Sequence, residues 1–405
     1  MNFEKTLSEW NVFPLGTVAD IQTGLALGKK SNNEMVRLPY LRVANVQDGY
    51  LDLSEIKEVE IERSLVDRYS LRCGDVLLTE GGDFDKLGRG YIWNNEVPNC
   101  LHQNHVFVVR PHPNLLSYFL FALTSSDYGR RYFQSCSKQS TNLASINSSQ
   151  LKAFPVPLPI IEEQEALVRL LSTWDRGIRQ LTDLISVKLR FKQGLMQQLL
   201  TGGLRFPEFG DECLPTPIGD LLVESRVAGS DGATAKKITI KLYGKGVIAK
   251  SDLRPGSAST KYYRRSRGQF IYSKLDFLNG AFGIVPDQLD GFESTLDLPA
   301  FDFTGDVDPA WLLYFVVRER FYTDHLGLAN GGRKARRVNP NDLLKIEIPL
   351  PSLAEQKKIA ELLNAMDREI ELRRKQLDLL KLQKKGLMQK LLTGQVRVKL
   401  PKGAK

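Results

Sequence analysis

The sequence predicts an α+β fold built twice in tandem, two α+β blocks joined by two long helices that pack on each other as a pseudo-twofold antiparallel coiled coil. An internal repeat, an apolar seam and a β-rich texture between the helices carry this prediction. Residues 157 to 202, opening PLPIIEEQ and closing GLMQQLLTG, align without a gap on 349 to 394, opening PLPSLAEQ and closing GLMQKLLTG, with 19 identities in 46 pairs. An offset of 192 residues means that one architectural unit occurs twice. The stretches ahead of the two copies are related more weakly: Pro14-Leu15-Gly16 recurs as Pro217-Ile218-Gly219, Arg72-Cys73-Gly74 as Ser266-Arg267-Gly268, and LLSYF (115–119) as WLLYF (311–315). The domains are therefore a first variable block at 1–156, a first helix segment at 157–202, a second variable block at 203–348, and a second helix with a basic tail at 349–405.

In the variable blocks, short β-rich runs such as GDVLLT (74–79), HVFVVR (105–110) and GQFIYS (268–273) alternate with Gly, Asn and Asp turns and one apolar helix. In the second helix Ser352 stands three residues before Glu355, the spacing of a capping box, while Ile160 replaces that serine in the first. Apolar residues then recur at alternating steps of four and three. They include Leu167, Leu171, Ile178, Leu195 and Leu199 in the first helix, and Ile359, Leu363, Ile370, Leu387 and Leu391 in the second. Lys188, Lys192, Arg373 and Lys384 interrupt this coiled-coil seam. At 1.5 Å per residue each seam runs roughly 50 Å, and a stripe that long must be buried against another surface.

Composition narrows the class. With 405 residues, 42% hydrophobic and 25% charged, the chain has room for two or three globular domains. The longest apolar run, Ala310 to Val317, is far too short to span a bilayer, and the N-terminus lacks an apolar signal core, so a cytoplasmic protein is expected. Cys73, Cys100, Cys136 and Cys213 are too scattered for a disulfide framework and read as reduced, mostly buried thiols. Of the net charge of +9, residues 349–405 hold +8, so local clusters say more about nucleic acid than bulk charge does.

No catalytic centre emerges. GLALGK (24–29) is one residue short between its glycines for a phosphate loop and has Lys30 where a magnesium-binding hydroxyl belongs. DFLNGAFG (276–283) lacks the close glycine pair of a cofactor turn, and NPND (339–342) lacks the aromatic of an amino-methylation motif. Asp83 and Asp85 have no following E-x-K pattern to make a nuclease. CLHQNH (100–105) could place Cys100, His102 and His105 on one metal, but no second ligand cluster exists and no metal is expected. The remaining readings are a strand end with a buried histidine, or a loop in which His102, Gln103, Asn104 and His105 face base edges.

Lys236 to Arg267 holds ten basic residues against Asp252 alone, whereas Asp287 to Asp308 holds seven acids and no base. Candidate DNA contacts there are Lys236, Lys237, Lys261, Tyr262, Tyr263, Arg264, Arg265 and Arg267, with Arg333 and Arg336 from GGRKARR (331–337). Guanidinium forks suit phosphate or guanine, and tyrosine offers a stacking face. A solvated strand edge is the plainer alternative. The first block offers Lys29, Lys30, Lys86, Arg89 and Lys138.

Two variable blocks, each closed by a PLP-x-x-x-EQ helix ending GLMQ-x-LLTG, resemble the DNA specificity subunit of type I restriction-modification systems over essentially the whole chain. The resemblance implies two target recognition domains, each reading half of a split, asymmetric site on double-stranded DNA. It implies helices that set the spacing and dock two methyltransferase subunits, with motor-nuclease subunits joining through those. The chain itself would need no cofactor, since S-adenosylmethionine, ATP and magnesium would belong to the partners. Structural roles carry over to Glu163, Gln164, Gly194, Leu195 and Leu199 and to Glu355, Gln356, Gly386, Leu387 and Leu391. A single-chain restriction-methylase would need catalytic motifs that are missing, and a coiled-coil scaffold without DNA specificity leaves KYYRRSR (261–267) unexplained.

Overall fold

The computed structural model describes residues 10–26, 33–82, 84, 87–139, 144–210, 212–251, 257–330 and 336–400. It divides into two compact units that do not follow the block boundaries. Unit 1 comprises 1–182 with 375–405, and unit 2 comprises 183–374, so the division runs through both long helices, Ile161–Leu200 and Leu353–Leu391.

Each unit repeats one topology. In unit 1 a four-stranded antiparallel sheet runs in the order Ala19–Thr23, Val106–Pro111, Val76–Thr79, Gly90–Ile92. Unit 2 has Leu222–Ser225, Ala300–Phe303, Phe270–Tyr272, Phe282–Ile284 in the same relative order. All four residues of Val76–Thr79 and all three of Phe270–Tyr272 are buried, as central strands covered on both faces must be. The apolar helices Ser117–Ser125 and Pro309–Val316 cover one face. The weak sequence matches fall on equivalent joints. Asn11–Pro14 pairs with Pro155–Leu158 and Leu214–Pro217 with Glu347–Leu350, and the next residues, Leu15 and Ile218, donate to Phe154 O at 2.8 Å and Ile346 O at 2.9 Å.

Within each unit the two helix segments run antiparallel. In unit 2, Lys188 pairs with Glu369 at 2.8 Å and Lys192 with Asp367 at 2.5 Å, so partner numbers fall as helix numbers rise. In unit 1, Lys384 pairs with Asp175 at 2.5 Å. These lysines interrupt the apolar seam because they fix its register through ion pairs. Leu167, Leu171 and Leu391 are buried with the unit 1 core, with Leu387 against it. Leu199, Ile359 and Leu363 join the unit 2 core, with Leu195 against it. Ile370 is buried and Ile178 half-buried.

The repeated Glu-Gln pair fastens helix to block. Gln164 donates to Asn114 O and Pro159 O and accepts from Leu116 N, closing the loop ahead of the apolar helix. Gln356 does the same with Asp306 O, Pro351 O and Asp308 N. Glu163 is gripped by both Nε and Nη2 of Arg397, and Glu355 by those of Arg205. The capping box is half-formed, because Ser352 Oγ accepts from Glu355 N at 3.4 Å while the Glu355 carboxylate is taken by Arg205. A second repeated contact joins Tyr118 to Asp175 and Tyr314 to Asp367, the carboxylates that also hold Lys384 and Lys192. The cysteine reading needs correction: only Cys100 is buried, Cys136 and Cys213 are half-buried, and Cys73 is exposed. Among the described residues no helix is long and apolar enough to cross a membrane.

Candidate nucleic-acid interface

The basic surface of unit 2 is built on two elements. Ile238–Ile240 and Val247–Ala249 form an antiparallel hairpin whose Ile238, Ile240 and Val247 are buried against Ile271, Val285 and Leu289. Alternation along a strand turns the neighbouring side chains outward. Lys236, Lys241 and Lys250 are exposed, and Lys237 places its ammonium 5.9 Å from the Tyr262 ring. The second element, Lys261–Arg264, lies between Ala228–Asp231 and Glu293–Ser294, with the hairpin joined to its outer neighbour by the bridge of Lys237 to Glu293.

Strand alternation separates the two tyrosines. Tyr262 and Arg264 share one side, with Arg264 exposed and Tyr262 half-buried, and Lys261 at the strand start and Arg267 beyond its end are also exposed. Tyr263 shares the inward side with Arg265, whose guanidinium lies 5.7 Å from its ring. The assignment of Arg265 to DNA is therefore corrected. It is wholly buried, donating to Ser294 Oγ at 2.7 Å, Ser225 O at 2.9 Å and Leu298 O at 3.1 Å, and burial pulls its pKa down to about 10. It is a structural pin across three segments. Arg336 is exposed, beside an Arg337 that pairs with Asp297 at 3.2 Å.

His102 is corrected in the same way. It is 1% exposed, its Nδ1 lies 2.8 Å from Val106 O, and burial, opposed by that hydrogen bond, pulls it from 6.5 down to about 4. Such a histidine is a core group, out of reach of base edges. Gln103 and Asn104 are half-buried beside it, and exposed His105 is paired with Glu80. Among the described residues no three His, Cys, Asp or Glu groups gather as a metal site. Arg89 is half-buried, reaching Gln47 Oε1 and Val43 O at 3.3 Å each. Lys29, Lys30, Lys86 and Arg333 lie outside the described residues, as does the side chain of Lys138. The sequence reading missed Lys241, Lys245 and Lys250, whose signal was a hairpin of lysines without an acid from 241 to 251.

A buried neutral histidine gives a signed pH dependence. The unfolded chain takes up a proton at His102 below about pH 6.5 and the folded chain does not until about pH 4. Stability should be full above pH 6.5 and fall by about 3 kcal/mol on the way to pH 4. Urea midpoints of the wild type and His102→Gln, measured from pH 7.5 downward, check this through a shallower acid slope in the variant.

The type I restriction modification DNA specificity domain model matches residues 7–189 and 308–382, well over half of the chain. The chain belongs to the type I restriction-modification DNA specificity family. It is 27% identical over 427 residues to the putative type I restriction enzyme MjaX specificity subunit of Methanocaldococcus jannaschii, covering 98% of this chain and 97% of that one. It is 25% identical over 391 residues to the MjaVIII specificity subunit of the same organism, covering 89% and 86%. A solved chain from a study of type I R-M complex assembly and conformational transition shares the fold, with a TM-score of 0.62 at 16% identity over 96% of this chain and 99% of the other. The S subunit of a type I system from M. genitalium matches with a TM-score of 0.52 at 13% identity, over 96% and 98%. Residues 190–307, which hold the basic surface of unit 2, lie between the two matched stretches.

Proposed function

We propose that the chain is the non-catalytic DNA-reading subunit of a type I restriction-modification complex. Each variable block reads one half of a bipartite, asymmetric site, the helices set the spacing, and two methyltransferase subunits dock on them and bring motor-nuclease subunits with them. S-adenosylmethionine, ATP and magnesium reside on those partners, so the purified chain should transfer no methyl group to DNA unless a methyltransferase subunit is added. The outward basic face of unit 2 carries the second block's share of the DNA reading. Docking is supported by large apolar side chains left in solvent on the helices, Leu184, Val187 and Phe191 in unit 2 and Leu379 and Leu382 in unit 1. The repeated glycines Gly194 and Gly386 support it too. Each weakens its helix relative to alanine although nothing lies within 4 Å of the place a Cβ would occupy.

Salt-titrated binding to cognate and scrambled duplexes tests the reading. Alanine at Lys236 or Lys241 should weaken binding to both duplexes and lower the salt slope by about one per lost phosphate contact. Alanine at Arg264 should cost about 1 to 3 kcal/mol, chiefly on the cognate duplex, because a guanidinium fork can pair bidentately with guanine. Equal binding of wild type to both duplexes, with methyltransferase present, would remove the specificity reading.

A further inference from the structure

Among the described residues three non-glycine residues take a positive φ: Asn95 at 60°, Asn99 at 51° and Tyr243 at 58°. Asparagine enters this left-handed region readily, and a bulky aromatic side chain does not. Tyr243 sits in the turn between Ile240 and Val247, followed by Gly244 at +65° and Gly246 at +89°. The turn is pinned, since Tyr243 N donates to Asn279 O and Gly244 N to Gly280 O, both at 2.8 Å. A glycine or asparagine would satisfy this backbone at lower cost. The side chain does not recover that cost by burial, for it is 60% exposed. A strained, rigidly mounted and solvent-facing aromatic is therefore explained by something outside the chain.

The surroundings define that something. The Lys245 ammonium lies 6.0 Å from the ring, exposed Lys241 opens the same turn, exposed Lys250 follows the second strand, and residues 241–251 contain no acid. A partner that suits a planar aromatic face beside a lysine, on an acid-free hairpin, carries negative charge and flat aromatic surfaces, which is the chemistry of a nucleic acid. We infer that Tyr243 is a DNA contact of the second block that wedges into a base step of its half-site and stacks on the base exposed there, with Lys245 on the adjoining phosphate. This rests on the proposed reading of unit 2 as a DNA-recognition unit.

The test uses the full chain co-produced with its methyltransferase partner and duplexes carrying 2-aminopurine at successive positions of each half-site. Tyr243→Gly relieves the strained φ, so its melting temperature should equal or exceed that of the wild type, which removes misfolding as an explanation. Its affinity for the cognate duplex should fall on the order of tenfold to a hundredfold, the loss expected from one base stack. The fluorescence change at one position of the second half-site should vanish while signals in the first half-site stay. Tyr243→Phe should retain both affinity and fluorescence. Wild-type affinity in Tyr243→Gly overturns the inference, and so does a Tyr243→Phe variant as weak as Tyr243→Gly, which would assign the contact to the hydroxyl. If the wild type itself prefers no sequence, the DNA reading falls and this inference with it.

Discussion

Replacing Arg205 with alanine should destabilise unit 2 by about 3 to 5 kcal/mol, the range for a buried ion pair that loses one partner. Glu355 is 2% exposed, and Arg205 holds both of its oxygens, at 3.0 Å through Nε and 2.5 Å through Nη2. Removing the arginine leaves a buried carboxylate with no other side-chain partner among the described residues. The equivalent change in unit 1, Arg397→Ala, should cost less. Glu163 is as buried as Glu355, but it also accepts from Trp10 Nε1 at 3.1 Å, so part of its hydrogen bonding survives. Hydrogen exchange of peptides from 347–366 and 155–174 reports the two units separately in one sample. Equal loss of protection in both variants would show that the indole contributes nothing.

This pair illustrates how far the sequence could be read. Arg205 and Arg397 stand at the same offset as the helix repeat, three residues past the point where the clear identities stop. A lone matching arginine carries little weight until its partner is known, and the partner lies 150 residues away in one case and 234 in the other. The long helices were legible because periodicity is local: Leu167, Leu171, Ile359 and Leu363 fall on the buried stripe as spaced. The blocks' strand texture was legible for the same reason. Burial depth was not. KYYRRSR (261–267) gives no sign that Arg265 is enclosed by Ser225, Ser294 and Leu298, because those partners arrive from segments distant in sequence. His102 was hidden similarly, since its fate depends on the sheet of Lys57–Glu62, Met35–Leu41 and Leu101–His102 around it. The lysines in the seam were readable as exceptions, and their acidic partners only once the antiparallel register was fixed.

Exchanging the first recognition block for that of another family member should replace one half of the target site completely and leave the other half unchanged. The exchange is best made at residues 19–112, because the structure shows what must remain. Leu15 bonds Phe154 O, Leu116 N bonds Gln164, and Tyr118 bonds Asp175, and all of these stay outside the exchanged segment. The segment carries the whole four-stranded sheet, since Ala19–Thr23 pairs with Val106–Pro111 and both are exchanged together, while Gly81–Gly82 keeps a backbone pairing to Ala144–Ser145 that the incoming block must reproduce. Unit 2 keeps its own core, centred on Phe270, Tyr272, Phe301 and Trp311. Cognate binding typically exceeds non-specific binding by ~10³-fold or more, so the switch in preference should be of that order. Methylation mapping with the chimaera and its methyltransferase partner reads the outcome directly. A change confined to one half, with the spacer length kept, is the expected pattern; altered preference in both halves would mean that the blocks do not read DNA independently.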